Sequence, residues 1–185
     1  MPYLCSKSVF IHHFNSCLGP ENLTAKLMTD IEPLLPFFKD CEEFVKLVFH
    51  HNDTDLEAND FISALPNNKS QEDKLPIGIY NASGELIAAF DLIKDYPHLD
   101  SWYIGLLLIP PVFRSHKIGS SIFTCFEEAV IVFGGKEVNL IVQENNSRAL
   151  LFWEKLGFTT IRESIQELPT GSNRVFHMKK CLRNL

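Results

Sequence analysis

The sequence has no pair of cysteines in a C-x-x-C arrangement, although five cysteines occur along its 185 residues. Disulfide scaffolds and zinc sites rely on even numbers of cysteines or on closely spaced pairs. We therefore expect free thiols, no metal site and a reducing, cytoplasmic environment. The first residues also lack the pattern of a secretory signal, because His12, His13 and Asn15 interrupt their apolar stretch.

Long apolar runs and an excess of positive charge are missing as well. No segment approaches the roughly 20 apolar residues of a membrane-spanning helix, so we expect no membrane association. The formal net charge is −6, which disfavours nucleic-acid binding because that function needs a basic face. Two interpretations of the acidic balance are open, a cationic partner or a solvated acidic surface.

Apolar material is plentiful. Hydrophobic residues make up 45% of the chain and 15 residues are phenylalanine, which suffices for the core of a single domain over residues 1–185. Residues 1–22 are treated as an N-terminal extension of that domain. Within them, residues 8–14 fit either a short strand or an added terminal element.

The periodicity of the apolar residues predicts helices first and a sheet later. A short strand is predicted within residues 23–31. Helical spacing of apolar residues then covers 32–50, and a second short helix is predicted over 56–65. Strands are then predicted over 76–81, 85–93, 101–109, 137–143, 158–167 and 174–182, with helices over 119–133 and 147–156. This order indicates an α/β fold with a mixed, mostly antiparallel sheet flanked by helices and one parallel crossover.

Residues 106–122 combine a buried strand, a short basic loop with one glycine, and the start of a helix. A helix N-terminus presents free amides and the positive end of its dipole, which favours anions. One interpretation is a pyrophosphate cradle in which Gly119 permits close approach and Arg114, His116 and Lys117 add charge. The other is an ordinary loop, since neither a P-loop nor a dinucleotide fingerprint is present.

Two motifs resemble those of the GNAT superfamily of acyl-CoA-dependent N-acyltransferases. The family's loop pattern [QR]-x-x-G-x-[GA] corresponds to Arg114-Ser-His-Lys-Ile-Gly119, with Lys117 where the first glycine is usual. The pattern N-x-x-A-x-x-[FYL]-Y-x-x-x-G-F corresponds to residues 146–158, with Trp153 in place of its second aromatic, a tyrosine. The resemblance covers roughly residues 76–180 and is nearest to a bacterial subgroup whose acceptor is unassigned.

The resemblance implies a GNAT-like fold, acetyl-CoA as co-substrate, and direct attack of a primary amine of a small molecule or peptide on the thioester. It also implies that strands 101–109 and 137–143 splay apart and admit the pantetheine arm. The cofactor-binding residues it implies are Leu107, Leu108, Ile109, Arg114, Ser115, His116, Lys117, Ile118, Gly119, Ser120, Asn146 and Trp153. A monomer or a homodimer is expected.

The catalytic groups are less well defined. The family's general acid is a tyrosine at the position of Trp153, and an indole donates a hydrogen bond but does not give up its proton. The thiolate then takes its proton from water or leaves as the anion. Asp91, Asp100 and Tyr103 are the candidate bases, unless the amine loses its proton before it binds. An alternative function is a weak or inactive CoA-binding regulatory module, and a third is a domain for another phosphate ligand.

Four acidic residues cluster in the predicted helical region before the sheet, namely Asp53, Asp55, Glu57 and Asp60. The resemblance implies that this region forms a wall of the acceptor site. Two interpretations are again open, because the acids either steer a cationic primary amine toward the site or only solvate a surface loop.

Overall fold

A computed structural model describes residues 6–114 and 117–182, and it begins with helix α1 (Lys7–Leu18). A strand over residues 8–14 is therefore wrong. Phe10, Phe14 and Leu18 follow one another at four-residue spacing and are all fully buried, so one face of a helix accounts for them. Strand β1 (Thr24–Leu27) follows at one edge of the sheet.

Three short helices precede the rest of the sheet. Helices α2 (Leu34–Lys39) and α3 (Glu42–Phe49) replace the single helix predicted over 32–50, and α4 (Thr54–Ser63) follows. The break lies at Cys41, whose backbone leaves the helical region while its side chain stays buried. This turn lets both short helices pack their apolar residues into the same cluster.

The sheet has seven strands in the order β1-β2-β3-β4-β5-β7-β6. Its remaining strands are β2 (Lys74–Tyr80), β3 (Leu86–Lys94), β4 (Ser101–Leu108), β5 (Glu137–Gln143), β6 (Thr159–Leu168) and β7 (Gly171–Cys181). Helices α5 (Ile118–Val132) and α6 (Ser147–Lys155) flank β5 in sequence. Among the strands that the structure describes, only β4 and β5 pair in parallel, which confirms the predicted mixed, mostly antiparallel sheet with one parallel crossover.

One face of the sheet packs against α1 and α5 through the larger apolar cluster, which includes Phe90, Trp102 and Phe126. A disulfide between Cys17 and Cys125 joins these two helices, with 5.4 Å between the Cα atoms. The expectation of free thiols is therefore wrong for this pair, because α1, which the sequence left unassigned, brings Cys17 against α5. Cys41 and Cys181 are free, and Cys5 lies outside the described residues.

The opposite face is divided. Helices α2, α3 and α4 form a second apolar cluster there, with contributions from Ala89 and Leu108. Farther along the sheet, the register places Tyr103 beside Asn139 and Asn139 beside Lys179. Since directly paired residues share a face, this part of the sheet carries polar side chains. The boundary between the apolar and the polar part lies near the middle of β4.

Candidate active site

Strands β4 and β5 separate at their C-terminal ends. Their parallel register runs from Ser101 and Glu137 to Ile104 and Leu140, yet β4 continues to Leu108 and β5 to Gln143. Beyond these four pairs, the edge of β4 that faces β5 has no strand partner among residues 6–114 and 117–182. An extended ligand can pair with such an edge as an added strand does, so the predicted splay is present.

The separation coincides with an irregularity between β3 and β4. Asp91 pairs with Leu106 whereas Leu92 pairs with Ile104, which leaves Gly105 as an extra residue in β4. A Cβ atom at position 105 would lie 2.6 Å from Oδ2 of Asp91. Glycine is thus required at this bulge, and the Asp91 carboxylate lies directly against the backbone where the strands part.

A buried lysine holds this carboxylate. Lys74 Nζ donates a hydrogen bond of 2.8 Å to Oδ1 of Asp91, and the Lys74 side chain is fully buried. Burial raises the pKa of Asp91 to about 6, although the Lys74 charge and the Leu92 N–H both oppose the shift. Such a carboxyl changes its protonation state near neutral pH, as a general base must.

Two adjoining cavities open beside Asp91, and both are bounded by Ala64, Asp91 and Gly105. The larger one, of about 340 Å³, is here called the tyrosine lobe, and it is lined further by Leu65, Pro66, Ile93, Tyr96, Tyr103 and Gln166. The smaller one, of about 180 Å³, is called the phenylalanine lobe, and it is lined further by Phe38, Phe49, Glu57, Asp60, Phe61 and Leu106. An acceptor substrate reaching Asp91 occupies one or both lobes.

The structure brings together two of the three candidate bases. Tyr103 lines the tyrosine lobe with Asp91, and its ring packs edge-on against Tyr96 at 5.2 Å between centroids. Burial raises the pKa of Tyr103 well above its ordinary value, and Tyr96 and Asp91 add to the shift. Its hydroxyl therefore stays protonated. Asp100 lies at the other end of β4, where it accepts a hydrogen bond of 2.6 Å from Lys136 Nζ.

The loop predicted to hold the pyrophosphate leads into α5. Arg114 Nε donates a hydrogen bond of 2.7 Å to the carbonyl of Ile109, the residue that follows β4. Lys117 adopts a left-handed conformation with φ of 61° immediately before the helix. Ser115 and His116, both predicted cofactor ligands, lie outside the described residues.

The first turn of α5 contains Ile118, Gly119 and Ser120. Gly119 is buried, and a Cβ atom there would lie 3.2 Å from the Phe152 ring and 3.3 Å from Ile109. This close packing between α5, α6 and the end of β4 is itself a reason for glycine. Approach of a phosphate to Gly119 stays a prediction.

Two predicted residues of the second motif have structural contacts. Asn146 Oδ1 accepts a hydrogen bond of 3.2 Å from the Ala149 amide and so caps α6. Trp153 is 6% exposed, and its ring packs edge-on against Phe123 and Phe158. The indole is thus a core side chain, and its part in cofactor binding and catalysis stays a prediction.

The four clustered acids do not act as one group. Asp53 caps α4 by accepting a hydrogen bond of 2.9 Å from the Leu56 amide, while Asp55 is exposed in the first helical turn. Glu57 is buried and pairs with His51 at 3.0 Å; burial raises its pKa and His51 opposes the shift. Only Glu57 and Asp60 of the four line the phenylalanine lobe.

Sequence reasoning missed Lys74 and Gln166. A lysine at the start of an apolar strand is a weak signal for a buried ion pair, whereas nothing in the local sequence of β6 distinguishes Gln166.

Within residues 6–114 and 117–182, no cluster of three or more His, Cys, Asp or Glu side chains has the arrangement of a metal site. Over the same residues, no helix has the length and apolar character needed to span a membrane.

Comparisons with known proteins agree with this geometry. The N-alpha-acetyltransferase 30 of Dictyostelium discoideum is 32% identical over 95 residues, which are 50% of this chain and 51% of that protein. The chain thus matches about half the length of this curated relative.

Solved structures share the fold at low sequence identity. A GCN5-related N-acetyltransferase from Kribbella flavida matches with a TM-score of 0.64 and 19% identity over 88% of this chain and 99% of its own. The spermidine N-acetyltransferase from Vibrio cholerae in complex with CoA and spermine matches with a TM-score of 0.65 and 14% identity over 89% and 98%. The family described as acetyltransferase (GNAT) matches residues 36–158, and the chain therefore belongs to the GNAT acetyltransferase family.

Proposed function

We propose that this protein transfers an acetyl group from acetyl-CoA to a primary amine of a small molecule or peptide by direct attack. The observation that carries the proposal is the position of Asp91, a carboxylate beside two cavities at the point where β4 and β5 separate. Both the Dictyostelium relative and the Vibrio structure are named as N-acetyltransferases, which supports an amine as the acceptor.

The chain offers a suitable surface for acetyl-CoA, which supplies an acetyl group activated as a thioester. The unpaired edge of β4 at Leu107 and Leu108 fits an extended pantetheine arm. The N-terminus of α5, with Lys117 and Ser120 beside it, fits the negative pyrophosphate. Arg114 positions the start of this loop through its bond to Ile109.

Asp91 removes a proton from the attacking amine as the C–N bond forms and the C–S bond breaks. Its deprotonated carboxylate is available above about pH 6, and Lys74 fixes its orientation. The departing thiolate needs no strong acid, since thiols ionise near a pKa of about 8.5. It either leaves as the anion or takes a proton from water, and Asp91 returns its proton to solvent.

The test is thiol release from acetyl-CoA with a panel of primary amines, run on the wild type, on Asp91→Asn and on Asp100→Asn. Asp100 belongs to the same strand region but lies outside both cavities, which makes it a matched control. We expect release with at least one amine, a loss of about 100-fold or more in Asp91→Asn, and near-normal turnover in Asp100→Asn.

Other outcomes identify a different function. Tight CoA binding without thiol release for any amine would support the regulatory module. That alternative arises because Trp153 stands where the family has its catalytic tyrosine. Binding of ATP as readily as acetyl-CoA in a thermal-shift screen would support a different phosphate ligand. A cytoplasmic location and a monomeric or homodimeric state stay predictions.

A further inference from the structure

We propose that His51 is a positioning residue for the attacking amine. It holds the Glu57 carboxylate at the wall of the phenylalanine lobe, where Glu57 accepts a hydrogen bond from the amine while Asp91 removes the proton. This inference rests on the proposed function, because it concerns the orientation of the same nucleophile. His51 borders neither lobe itself, so it acts through Glu57.

Glu57 and Asp91 border the same small cavity. Both line the phenylalanine lobe of about 180 Å³, and Glu57 is 8% exposed. A primary amine carries several N–H groups and loses one proton to Asp91, so a second N–H needs an acceptor inside the lobe. The phenylalanines of the lining have no acceptor atom in their side chains, and Asp60, which also borders the lobe, is exposed. Glu57 is therefore the second carboxylate placed to orient the amine.

A histidine with a defined tautomer holds Glu57. His51 Nε2 lies 3.0 Å from Glu57 Oε1, and the Asp53 backbone amide donates a hydrogen bond of 3.1 Å to His51 Nδ1. A ring nitrogen that accepts a hydrogen bond carries no proton, so the proton lies on Nε2 and points at Glu57. Within residues 6–114 and 117–182, no other side chain donates a hydrogen bond to Glu57, which leaves Oε2 for the amine.

The imidazole is itself fixed from two sides. Its ring stacks on that of Phe49 with 6.0 Å between centroids and 26° between planes, and Phe49 lines the same lobe. The Asp53 amide belongs to the N-cap of α4, because the Asp53 side chain accepts a hydrogen bond from the Leu56 amide. Glu57 lies in the first turn of that helix. The amide, the imidazole and the carboxylate therefore form one chain that ends at the lobe.

The charges around Glu57 explain why a donor is needed. Burial raises the pKa of Glu57, and Asp60 and Asp53 add to the shift, whereas the charge and the hydrogen bond of His51 oppose it. Loss of His51 therefore favours the protonated carboxyl as well as freeing its orientation. A protonated carboxyl is a weaker acceptor for an amine than a carboxylate is.

Two substitutions of His51 separate its donor from its ring, with n-butylamine as the acceptor probe. His51→Phe keeps a ring for stacking on Phe49 but removes the N–H, whereas His51→Gln keeps an N–H but removes the ring. We expect His51→Phe and Glu57→Gln each to raise KM for n-butylamine about tenfold, with a smaller change in kcat and no change in KM for acetyl-CoA. His51→Gln should stay within about threefold of the wild type.

The double variant tests whether His51 acts through Glu57. His51→Phe combined with Glu57→Gln should have the same KM for n-butylamine as Glu57→Gln alone, because the second change removes the group that the first one positions. Additive effects overturn the proposal, as does an unchanged KM in His51→Phe. A loss of affinity in His51→Gln as large as in His51→Phe would assign the effect to the ring and overturn it too.

A second histidine–glutamate pair supplies the matched control. His98 Nε2 lies 3.0 Å from Glu137 Oε1, and neither residue borders a lobe. His98→Phe should leave both KM values near wild type. A rise in KM for n-butylamine equal to that of His51→Phe would show a general effect of losing such a pair and overturn the proposal.

The failure of this inference differs from the failure of the proposed function. Turnover with a normal KM for n-butylamine in all variants overturns the role of His51 and leaves the acetyltransferase intact. If the wild type does not consume n-butylamine, calorimetric titration of this amine into the CoA complex decides the matter. Weaker binding to His51→Phe and to Glu57→Gln than to the wild type supports the proposal, whereas equal affinities or no binding overturn it.

Discussion

Lys117 adopts a left-handed backbone conformation with φ of 61° and occupies the place of the first glycine in the family's loop pattern. Such a conformation costs a residue with a Cβ atom roughly 1–2 kcal/mol, and glycine is free of this cost. We expect Lys117→Gly to be about 1 kcal/mol more stable toward urea unfolding than Lys117→Ala, although both remove the same charge.

The same pair of variants distinguishes two effects on cofactor binding, the loss of the Lys117 charge and a change in the backbone conformation of the loop. If Lys117 contributes only its charge to the pyrophosphate site, both variants should lose affinity for acetyl-CoA equally, and the loss should shrink at high salt. Equal stability of the two variants would contradict the strain at this position, and an affinity that differs between them would show that the loop backbone itself changes.

The raised pKa of Asp91 gives a prediction for the pH dependence of turnover. We expect kcat/KM to fall as the pH drops through about 6, the pKa of the buried carboxyl in the free protein, because the protonated form is not a base. Asp91→Asn should remove this acidic limb along with most of the rate. A limb that persists in the variant would belong to another group.

Protonation of Asp91 does not destabilise the fold, so acid unfolding through this carboxyl does not explain the loss of turnover at low pH. Its pKa in the fold, about 6, lies above the ordinary value of 3.8, so the native state binds more protons than the unfolded chain between these values. The contribution of Asp91 to stability is therefore fully present below pH 3.8 and falls as the pH rises toward 6. Unfolding measured over the same pH range separates the two effects.

At single positions, sequence reasoning named Asp91 and Tyr103 among three candidate bases. Both border the tyrosine lobe, and their catalytic roles stay predictions. It also included Asp100, because strand registers and bulges are not visible in a sequence. Lys74 and Gln166 were missed because their importance depends on what lies opposite them in the sheet.

The hairpin of β6 and β7 depends on Asn173 for its contact with α3. Asn173→Ala removes its bonds to Val48 and His50 and leaves a buried carbonyl unsatisfied, at about 1–3 kcal/mol of unfolding free energy. Because the hairpin carries Gln166, we expect KM for the acceptor amine to rise while KM for acetyl-CoA stays unchanged. Steady-state kinetics at saturating cosubstrate measures both.

Ser172→Ala changes the adjacent, exposed residue of the same hairpin and serves as the control. It should leave both constants and the stability near wild type, since surface substitutions are usually within about 0.5 kcal/mol. A rise in both KM values in Asn173→Ala would instead indicate a general loss of structure and contradict a specific role for the hairpin in holding the amine.

At the level of elements, the predicted order of helices and strands from residue 76 onward is confirmed, because strand and helix periods differ clearly there. The helical region before the sheet is less well predicted. The apolar spacing over 32–50 runs through the turn at Cys41, so periodicity alone does not reveal two helices. Residues 8–14 were ambiguous because a short apolar stretch suits a strand or a helix equally.

The sheet separates two environments across the whole molecule. On one side, α1 and α5 cover a continuous apolar cluster. On the other, the lobes beside Asp91 are lined by residues of the α2–α4 cluster and of β3, β4 and β6. The disulfide and the larger apolar cluster thus lie on the face opposite the lobes.

The disulfide between Cys17 and Cys125 lies on the first side and closes a loop across a sequence separation of 108 residues. Such cross-links typically stabilise by about 2–4 kcal/mol, mainly by restricting the unfolded chain. We expect reduction, or the double variant Cys17→Ser with Cys125→Ser, to lower the free energy of unfolding by that amount. Turnover at 25 °C should change little, because the cross-link and the lobes lie on opposite faces of the sheet.

Cys181→Ser provides the matched control, since Cys181 is free and exposed. It should unfold like the wild type under oxidising conditions and show the same loss of stability on reduction. If reductant leaves the unfolding curve of the wild type unchanged, the cross-link does not form in solution. The packing of α1 against α5 must then come from apolar contacts such as those of Phe10, Phe14 and Leu18, and the expectation of free thiols would be restored.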